Sequence, residues 1–239
     1  MISEITFSRD FSSFWRLACP MMDGFIRQLN RGSYDRDFAP MKVETAPNRR
    51  AFVNEVAFSA FCAITSSYLQ GLKAVSVEDA IAENEPLVRL LASQGERDGD
   101  YEQELSSDEV NDAGEQVRRL GRRLGPIGPS RAITCRPRFP GCGIIDACEG
   151  DVLVDGILFE IKAGDRSFRS IDLRQLLVYL ALNHAGNGTA IRFVGLINPR
   201  VGVSFQMSAD EFCFEVSGRS TAQLLDAVVY GIASGDISR

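Results

Sequence analysis

The stretch Asp151-Val-Leu-Val-Asp155-Gly156-Ile-Leu-Phe-Glu160-Ile-Lys162 decides the fold that this sequence predicts. Asp-Gly between two apolar runs is typical of a two-residue type I′ turn in a β-hairpin. With Asp155 and Gly156 as the turn, Asp151 lies opposite Glu160, where side chains are about 5 Å apart at Cβ and like charges repel. Alternation along a strand places Lys162 on the same side as Glu160. The sequence therefore predicts two carboxylates beside one ammonium group.

The residues between these charges are apolar on both faces of the hairpin. Such a pattern is typical of strands that are covered on both sides. A charge inside such a pair is costly unless it is paired or binds a metal. Two interpretations stay open: Glu160 and Lys162 form an ion pair on a solvated face, or the acids hold a divalent cation. The apolar neighbours favour the cation.

Length and composition indicate an ordinary globular protein. The chain has 239 residues, of which 45% are hydrophobic and 24% charged, enough for one large domain or one domain with a helical appendage. No uninterrupted apolar stretch reaches the ~18 residues that a membrane span needs. The start, Met1-Ile-Ser-Glu-Ile-Thr, does not resemble a signal peptide. We expect a cytoplasmic protein without a membrane partner.

Cysteine and histidine contribute little to the predicted chemistry. Six cysteines occur without a C-x-x-C pair, and the spacing of Cys135, Cys142 and Cys148 fits no zinc ribbon, although an iron–sulfur cluster has to be considered. The only histidine, His184, excludes sites that need a histidine pair. Its position near a predicted helix end favours a capping role.

Charge is distributed unevenly along the chain, although the net charge is −6. Acids dominate between Glu78 and Asp112, and arginines follow near the hairpin: Arg118, Arg119, Arg122, Arg123, Arg131, Arg136, Arg138, Arg166, Arg169 and Arg174. Arginine matches phosphate geometry well, so a polyanion is a plausible ligand. A solvated helix face balanced by the acidic segment is the other reading.

Periodicity divides the chain into a helical part, residues 1–125, and a mostly β part, residues 126–239. Predicted helices cover 13–30 with a break at Pro20, 48–70, 76–95, 106–124, 172–183 and 220–232, with a capping box at Ser106-x-x-Glu109 and Ser170 as a cap. Predicted strands cover 132–136, 143–148, the hairpin 151–163, 190–197 and 202–206. Residues 94–107 are expected to form an exposed loop, and Gly125 to Ser130 a linker.

The order of these features resembles the PD-(D/E)XK phosphodiesterase superfamily: an acid comes first, then Glu-x-Lys on the partner strand, then a helix. The helix carries Gln175-Leu-Leu-Val-Tyr179, which looks like the Q-x-x-x-Y element of the RecB-like branch, and residues i and i+4 share a helix face. The likeness covers about residues 131–183. It implies an α/β, restriction-endonuclease-like core, a mixed central β-sheet flanked by helices, with a helical N-terminal portion.

The resemblance also implies a site. Asp151, Glu160 and the Ile161 carbonyl would hold Mg²⁺ or Mn²⁺, for which hard oxygen ligands are suited. Lys162 would orient a water and stabilise charge on the phosphate, with Gln175 and Tyr179 positioning it. Many relatives add a glutamate from an earlier helix, for which Glu55 is the candidate. Gly150 in place of proline is a tolerated departure, and Asp146 is a rival to Asp151.

Three functions stay open. The first is a Mg²⁺-dependent nuclease that hydrolyses phosphodiester bonds, with DNA as the expected substrate, in bacterial antiviral defence, restriction or repair. The second is a catalytically inactive nuclease-fold module that binds or regulates a larger complex, and the third an unrelated α/β protein. The sequence contains no recognisable target-recognition segment, so a protein partner is expected to supply it. DNA versus RNA, strandedness, the mode of cutting and the oligomeric state are not specified.

Overall fold

The hairpin lies inside a mixed β-sheet. A computed structural model describes residues 1–42, 45–93, 101–125 and 132–235. Within those ranges six strands form one sheet in the order β1-β8-β7-β6-β5-β2, and β3 and β4 form a separate pair. The strands are β1 (Asp35–Arg36), β2 (Ile133–Cys135), β3 (Arg138–Phe139), β4 (Cys148–Glu149), β5 (Val152–Val154), β6 (Ile157–Ile161), β7 (Phe193–Asn198) and β8 (Val203–Ser208).

Helices cover both faces of this sheet. They are α1 (Glu4–Asp10), α2 (Ser12–Ala18), α3 (Met22–Asn30), α4 (Arg50–Leu69), α5 (Val77–Ser93), α6 (Ser107–Leu124), α7 (Ser170–Ala185), α8 (Ala209–Ser217) and α9 (Thr221–Ser234). Strands β6 and β7 are parallel and the other pairs antiparallel. Parallel neighbours need a long crossover, and α7 supplies it between β6 and β7. The α/β class, a mixed sheet flanked by helices, is confirmed.

The hairpin has the predicted turn and register. Asp155 and Gly156 both have positive φ, +51° and +81°, as a type I′ turn requires. The Cα partners are Val152 with Phe159, Leu153 with Leu158, and Val154 with Ile157. The paired residues end there, and Asp151 lies one residue before β5.

Each face of the hairpin is buried in a different core. Leu158 belongs to a cluster formed with α1–α3 and α7–α9, which includes Phe7 and Trp15. Val152, Val154 and Phe159 belong to a second cluster formed with α4–α6. The alternating positions are therefore apolar on both sides because both sides are covered, as the sequence predicts. The division at residue 125 stays a prediction, and the helices before it lie on both faces of the sheet.

Most predicted elements are confirmed and a few are wrong. Helices α2 to α7 and α9 match, including the break near Pro20 and the capping box at Ser106 and Glu109. The predicted strand 143–148 is wrong, because only Cys148 and Glu149 are extended and the preceding residues turn back towards Ile2. Arg169, not Ser170, precedes α7 as its N-cap. Helices α1 and α8 and strands β1 and β3 are not predicted.

Two predicted connections fall largely outside the described residues. Residues 94–100 of the expected loop 94–107 are not described. The other residues of this loop were expected to be exposed, and this expectation is wrong for Tyr101. Tyr101 is buried with its ring centroid 5.7 Å from that of Phe52. The expected linker after Gly125 lies outside the described residues from 126 on.

Helix α4 bears on the expectation about membrane segments. Among the described residues it is the one helix long and apolar enough, by length and composition, to cross a membrane. Its apolar side chains, such as Phe52, Val56 and Ala60, are buried in the second core. A buried core helix passes the same test, so α4 is weak evidence for a membrane span. The cytoplasmic location stays a prediction.

Candidate active site

A continuous chain of hydrogen bonds joins the hairpin to α7. The Lys162 ammonium donates to Glu160 Oε1 and to Gln175 Oε1, each at 2.7 Å. The Gln175 amide in turn donates to the Tyr179 hydroxyl at 2.8 Å. Four of the predicted site residues are thus brought into direct contact in the predicted order.

Local structure explains why these side chains meet. Glu160 and Lys162 are two residues apart along an extended chain and so lie on one side of it. Gln175 and Tyr179 are one turn apart on α7, which packs against β6. The Tyr179 ring stacks on Phe139 of β3, with centroids 5.1 Å apart. Packing therefore holds the tyrosine, and the tyrosine holds Gln175 at the lysine.

Glu160 has one carboxylate oxygen that the described part of the protein leaves without a hydrogen-bond partner. Only 4% of the residue is exposed, and Oε2 is buried with no partner among the described residues, whereas Oε1 binds Lys162. A buried charged oxygen without a partner is costly. A cation or a hydrogen-bond donor that binds Glu160 Oε2 would remove this cost.

Asp151 is bound to the hairpin through the backbone. Its Oδ2 accepts a hydrogen bond of 2.6 Å from the Ile161 N–H, while its own carbonyl accepts from the Arg136 N–H at 2.8 Å. Burial, and then repulsion by Glu160, raise the pKa of the Asp151 carboxyl well above its usual value. Glu160 is therefore close enough to make the Asp151 carboxyl harder to ionise.

Lys162 stays protonated. Burial alone would lower the pKa of its ammonium, but attraction to Glu160 and the hydrogen bond between them, helped by Asp172 and Asp151, raise it. Burial raises the pKa of Glu160, and Lys162 partly offsets that effect. Lys162 is therefore suited to donate hydrogen bonds or stabilise negative charge, and is unsuited to act as a base.

A cleft of about 290 Å³ opens beside these residues. It is lined by Asp151, by the chain from Ile161 to Gly164, by Arg166, and by Ala51, Asn54, Glu55 and Phe58 of α4. Glu55 thus lies at the site, as the resemblance implies, and its charge contributes to the raised pKa of the Asp151 carboxyl. Glu160 does not line the cleft. Lys162 does line the cleft, and its ammonium donates to Glu160 Oε1, so Glu160 lies directly behind this wall of the cleft.

Two asparagines hold the loop that forms the cleft floor, and sequence reasoning did not identify them. Asn54 donates to the Ala163 carbonyl at 2.9 Å, and Asn198 to the carbonyls of Gly164 at 2.8 Å and Arg166 at 3.2 Å. Asn198 ends β7, and its carbonyl partners lie more than thirty residues away along the chain. No local signal could have identified them.

The asparagines belong to a larger buried network behind the cleft. The guanidinium of Arg200 donates to Asn54 Oδ1 at 2.9 Å and to Asp112 at 2.7 Å. Gln116 donates to both Asn54 and Asp112. The side chain of Arg200 is fully buried and that of Asp112 nearly so. The network links α4, α6 and the β7–β8 turn behind the loop that forms the cleft floor.

Many arginines proposed to bind a polyanion are used inside the protein. Arg166 lines the cleft, yet its guanidinium binds Asp172 through two hydrogen bonds of 2.7 and 2.8 Å. Arg174 is placed wrongly by the prediction, because its guanidinium points to the Ser8 carbonyl of α1 and burial lowers its pKa. Arg119 caps the carbonyls of Ala39 and Pro199, and Arg123 binds Ser204.

The remaining arginines differ in their surroundings. Arg169 is exposed beside the cleft loop, at the start of α7. Arg118 pairs with Glu115 and Glu78, and Arg138 with Glu149. Arg131 lies outside the described residues. The basic character of this region therefore reflects internal contacts as much as a free surface.

The other candidate residues lie apart from this site. The thiols of Cys142 and Cys148 are half-buried and unbridged, and no group of three His, Cys, Asp or Glu side chains able to hold a metal occurs within the described ranges. His184 lies in the last turn of α7, as the sequence predicts, and its ring contacts Asp226 of α9 at 2.9 Å, so the capping role stays a prediction. Asp146, the rival acid, belongs to the predicted strand 143–148 but lies in no strand of the structure, and it does not line the cleft.

The chemistry of the donors suits a hard dication. Two carboxylates, one with an unpartnered buried oxygen, and the carbonyl of Ile161 offer only oxygen atoms, which Mg²⁺ and Mn²⁺ prefer. A dication would also relieve the repulsion between two buried acids. The residues present therefore fit the group that the resemblance implies.

Comparison of the chain with protein-family models, with curated proteins and with solved structures found no match in any of the three.

Proposed function

We propose that this protein is a metal-dependent nuclease of the PD-(D/E)XK type, with a restriction-endonuclease-like core and the Q-x-x-x-Y element of the RecB-like branch. The observation that carries the proposal is the hydrogen-bonded chain from Tyr179 through Gln175 and Lys162 to Glu160. It ends on a buried carboxylate oxygen that lacks a partner among the described residues. The same chain stands next to Asp151 at an open cleft.

A buried chain of this kind makes a poor structural element. An apolar side chain at each position would fill the same space without the desolvation penalty of two acids and an ammonium group. The site instead resembles those in which ionisable groups are held together for chemistry, with pKa values displaced by burial and by each other.

Each residue has a definite role in this proposal. Asp151, Glu160 and the Ile161 carbonyl hold Mg²⁺ or Mn²⁺, which supplies Lewis acidity at the phosphate and acidifies a water. Lys162 donates hydrogen bonds to the water or to the phosphate and stabilises negative charge there. Gln175 holds the ammonium in place, and Tyr179 holds Gln175.

The proposed substrate is a nucleic acid, with DNA as the expected polymer. The cleft is open along one side and reaches from Asp151 to Arg166, as a site for a chain of phosphates requires. Arg169 is exposed at its margin and available to a phosphate. A role in defence, restriction or repair, and a protein partner that selects the target, belong to this proposal through the resemblance alone.

Cleavage by isosteric variants tests the proposal. Purified protein is incubated with linear, circular and single-stranded DNA and with RNA, in Mg²⁺, Mn²⁺ or EDTA. We expect cleavage that needs the metal and that falls at least about a hundredfold in Asp151→Asn, Glu160→Gln and Lys162→Met. Glu83→Gln, an exposed acid on α5, serves as the matched control and should cut like the native protein.

The result also separates the competing functions. If the native protein cuts no polymer but binds DNA or a protein partner, it is an inactive nuclease-fold module. If cutting persists undiminished in Glu160→Gln and Lys162→Met, the assignment of the site is wrong.

A further inference from the structure

Arg136 has a backbone conformation that its side chain does not favour. Three non-glycine residues in the described ranges have positive φ: Arg136, Asp155 and Asn187. Asp and Asn tolerate this region because their short side chains bond the local backbone, whereas arginine does not. Arg136 also precedes Pro137, which favours an extended backbone at the residue before it. Unfavourable backbone of this kind persists where surrounding contacts impose it, often at functional sites.

The contacts of Arg136 join two of the acids at the cleft. Its backbone N–H donates to the Asp151 carbonyl at 2.8 Å. Its guanidinium donates to Glu55 Oε1 at 2.7 Å and to Ser59 Oγ at 3.1 Å, and it lies over the Phe58 ring with its carbon 5.0 Å from the centroid. One residue therefore connects the strand that leads into Asp151 with the turn of α4 that carries Glu55.

These contacts restrict where the Glu55 carboxylate can be. A glutamate on a helix surface samples several rotamers, and holding it in one costs side-chain entropy. The guanidinium is a planar donor already held by Ser59 and by stacking on Phe58, so it offers Glu55 a fixed partner. Glu55 lines the cleft with Asp151 in this position.

We propose that Arg136 is a positioning residue, which holds Glu55 at the cleft as the third acid of the metal site. The proposal rests on the nuclease function proposed above and adds to it a residue that the resemblance does not imply. The described residues do not gather three such side chains around one point, so Glu55 would bind the dication through a water. Arg136 would act on the metal only through Glu55. Partners that orient metal ligands commonly change metal affinity or activity by about 10–100-fold when removed.

The experiment is a double-mutant cycle on Mn²⁺ binding and cleavage. Arg136→Asn removes the guanidinium with a residue better suited to positive φ, so the fold is expected to be retained. Glu55→Gln removes the charge of the partner, and Arg136→Lys keeps a cation without the planar fork. Arg89→Asn, which breaks a salt bridge to Glu85 on α5, is the matched control. Each variant is measured by Mn²⁺ titration, thermal melting, kcat and KM.

We expect Arg136→Asn and Glu55→Gln each to weaken Mn²⁺ binding about tenfold and to lower kcat with little change in KM. Mn²⁺ affinity and kcat of the double variant should fall no further than those of either single variant. Each single substitution already removes the effect of the Glu55 carboxylate that Arg136 holds. Arg136→Lys should recover part of the loss, and Arg89→Asn should match the native protein.

Other outcomes overturn the proposal in distinguishable ways. Additive losses, or unchanged Mn²⁺ affinity in an Arg136→Asn variant that folds, show that Arg136 does not act through Glu55. Tighter Mn²⁺ binding in Arg136→Asn shows that the guanidinium competes with the metal. A native protein that neither binds Mn²⁺ nor cuts any polymer overturns the nuclease function and this inference together. If the native protein cuts, the nuclease function stands even when the variants show that Arg136 does not act through Glu55.

Discussion

Glu160 illustrates how single residues shape this site. Its carboxylate is buried, one oxygen binds Lys162, and the other has no partner within the described part of the protein. Asp151 is held nearby through the backbone of Ile161. Burial and repulsion by Glu160 favour the protonated form of Asp151, and burial favours the protonated form of Glu160. Without a bound cation, the pair therefore lowers the stability of the folded state.

The pH dependence of stability should show this cost. Because the pKa of Asp151 is raised in the folded state, the folded protein binds its proton more tightly than the unfolded chain does. Stability then falls as pH rises from the unfolded pKa, about 3.9, through the higher folded value. Asp151→Asn cannot ionise and keeps an acceptor for the Ile161 N–H. In EDTA it should melt at least about 2 °C higher than the native protein at pH 8, with little difference at pH 4.

Thermal melting of both proteins between pH 4 and pH 8 checks this expectation. Asp146→Asn, which removes a half-buried acid outside the cleft, is the control for the change in net charge. A native protein that is the more stable of the two at pH 8 without metal would contradict the account of a strained acid pair.

At the scale of elements, the cleft depends on the junction between α4, α6 and the β7–β8 turn. Asp112 on α6 accepts hydrogen bonds from Thr45, Gln116 and Arg200, and Arg200 in turn binds Asn54 at the cleft. Removing one member of a buried ion pair leaves the other charge uncompensated, which costs more than the pair itself contributes. The junction should therefore respond strongly to a change at its centre.

Asp112→Ala should lower the free energy of unfolding by about 3–5 kcal/mol, because it leaves the fully buried Arg200 guanidinium without its charge partner. Urea denaturation measures the change. Asp108→Ala, on the exposed face of the same helix, is the control and should stay within about 0.5 kcal/mol of the native value. A loss below about 1 kcal/mol for Asp112→Ala would show that Arg200 finds another partner or water.

In the described part of the molecule the six-stranded sheet has a core on each face, and each core uses helices from the first half of the chain. Phe7 and Trp15 of α1 and α2 pack with α7, while Phe52 and Val56 of α4 pack against the hairpin. Strand β1, from residues 35–36, pairs with the edge of the sheet at β8. The proposed division at residue 125 therefore separates elements that bury each other.

Separate fragments test that division. Residues 126–239 alone should lack cooperative unfolding, because removal of α1–α6 exposes the face of the sheet that α4–α6 cover and part of the core that α1–α3 share with α7–α9. Circular dichroism and thermal melting of this fragment measure the outcome, and co-expression with residues 1–125 should restore the native transition. A fragment that melts cooperatively by itself would establish residue 125 as a true domain boundary.

Local sequence determined the hairpin, its turn, its register and most helices. These features depend on contacts between near neighbours: positive φ at Asp155 and Gly156, alternation along β6, and the i, i+4 spacing of Gln175 and Tyr179. Strand and helix periodicities, which backbone geometry fixes, predict which of the site residues share a face. The roles of those residues were named from the resemblance to a known superfamily.

Only the tertiary structure decided which charges are free and which are used. The role of Arg174 was misjudged because Ser8, its partner, lies far away in the sequence, and the same holds for Asn198 with Gly164 and for Arg136 with Glu55. Strand β1 and helix α8 were missed because their short segments are stabilised by packing more than by propensity. Hydrogen bonds between distant residues depend on how the layers stack, which local patterns along the chain do not encode.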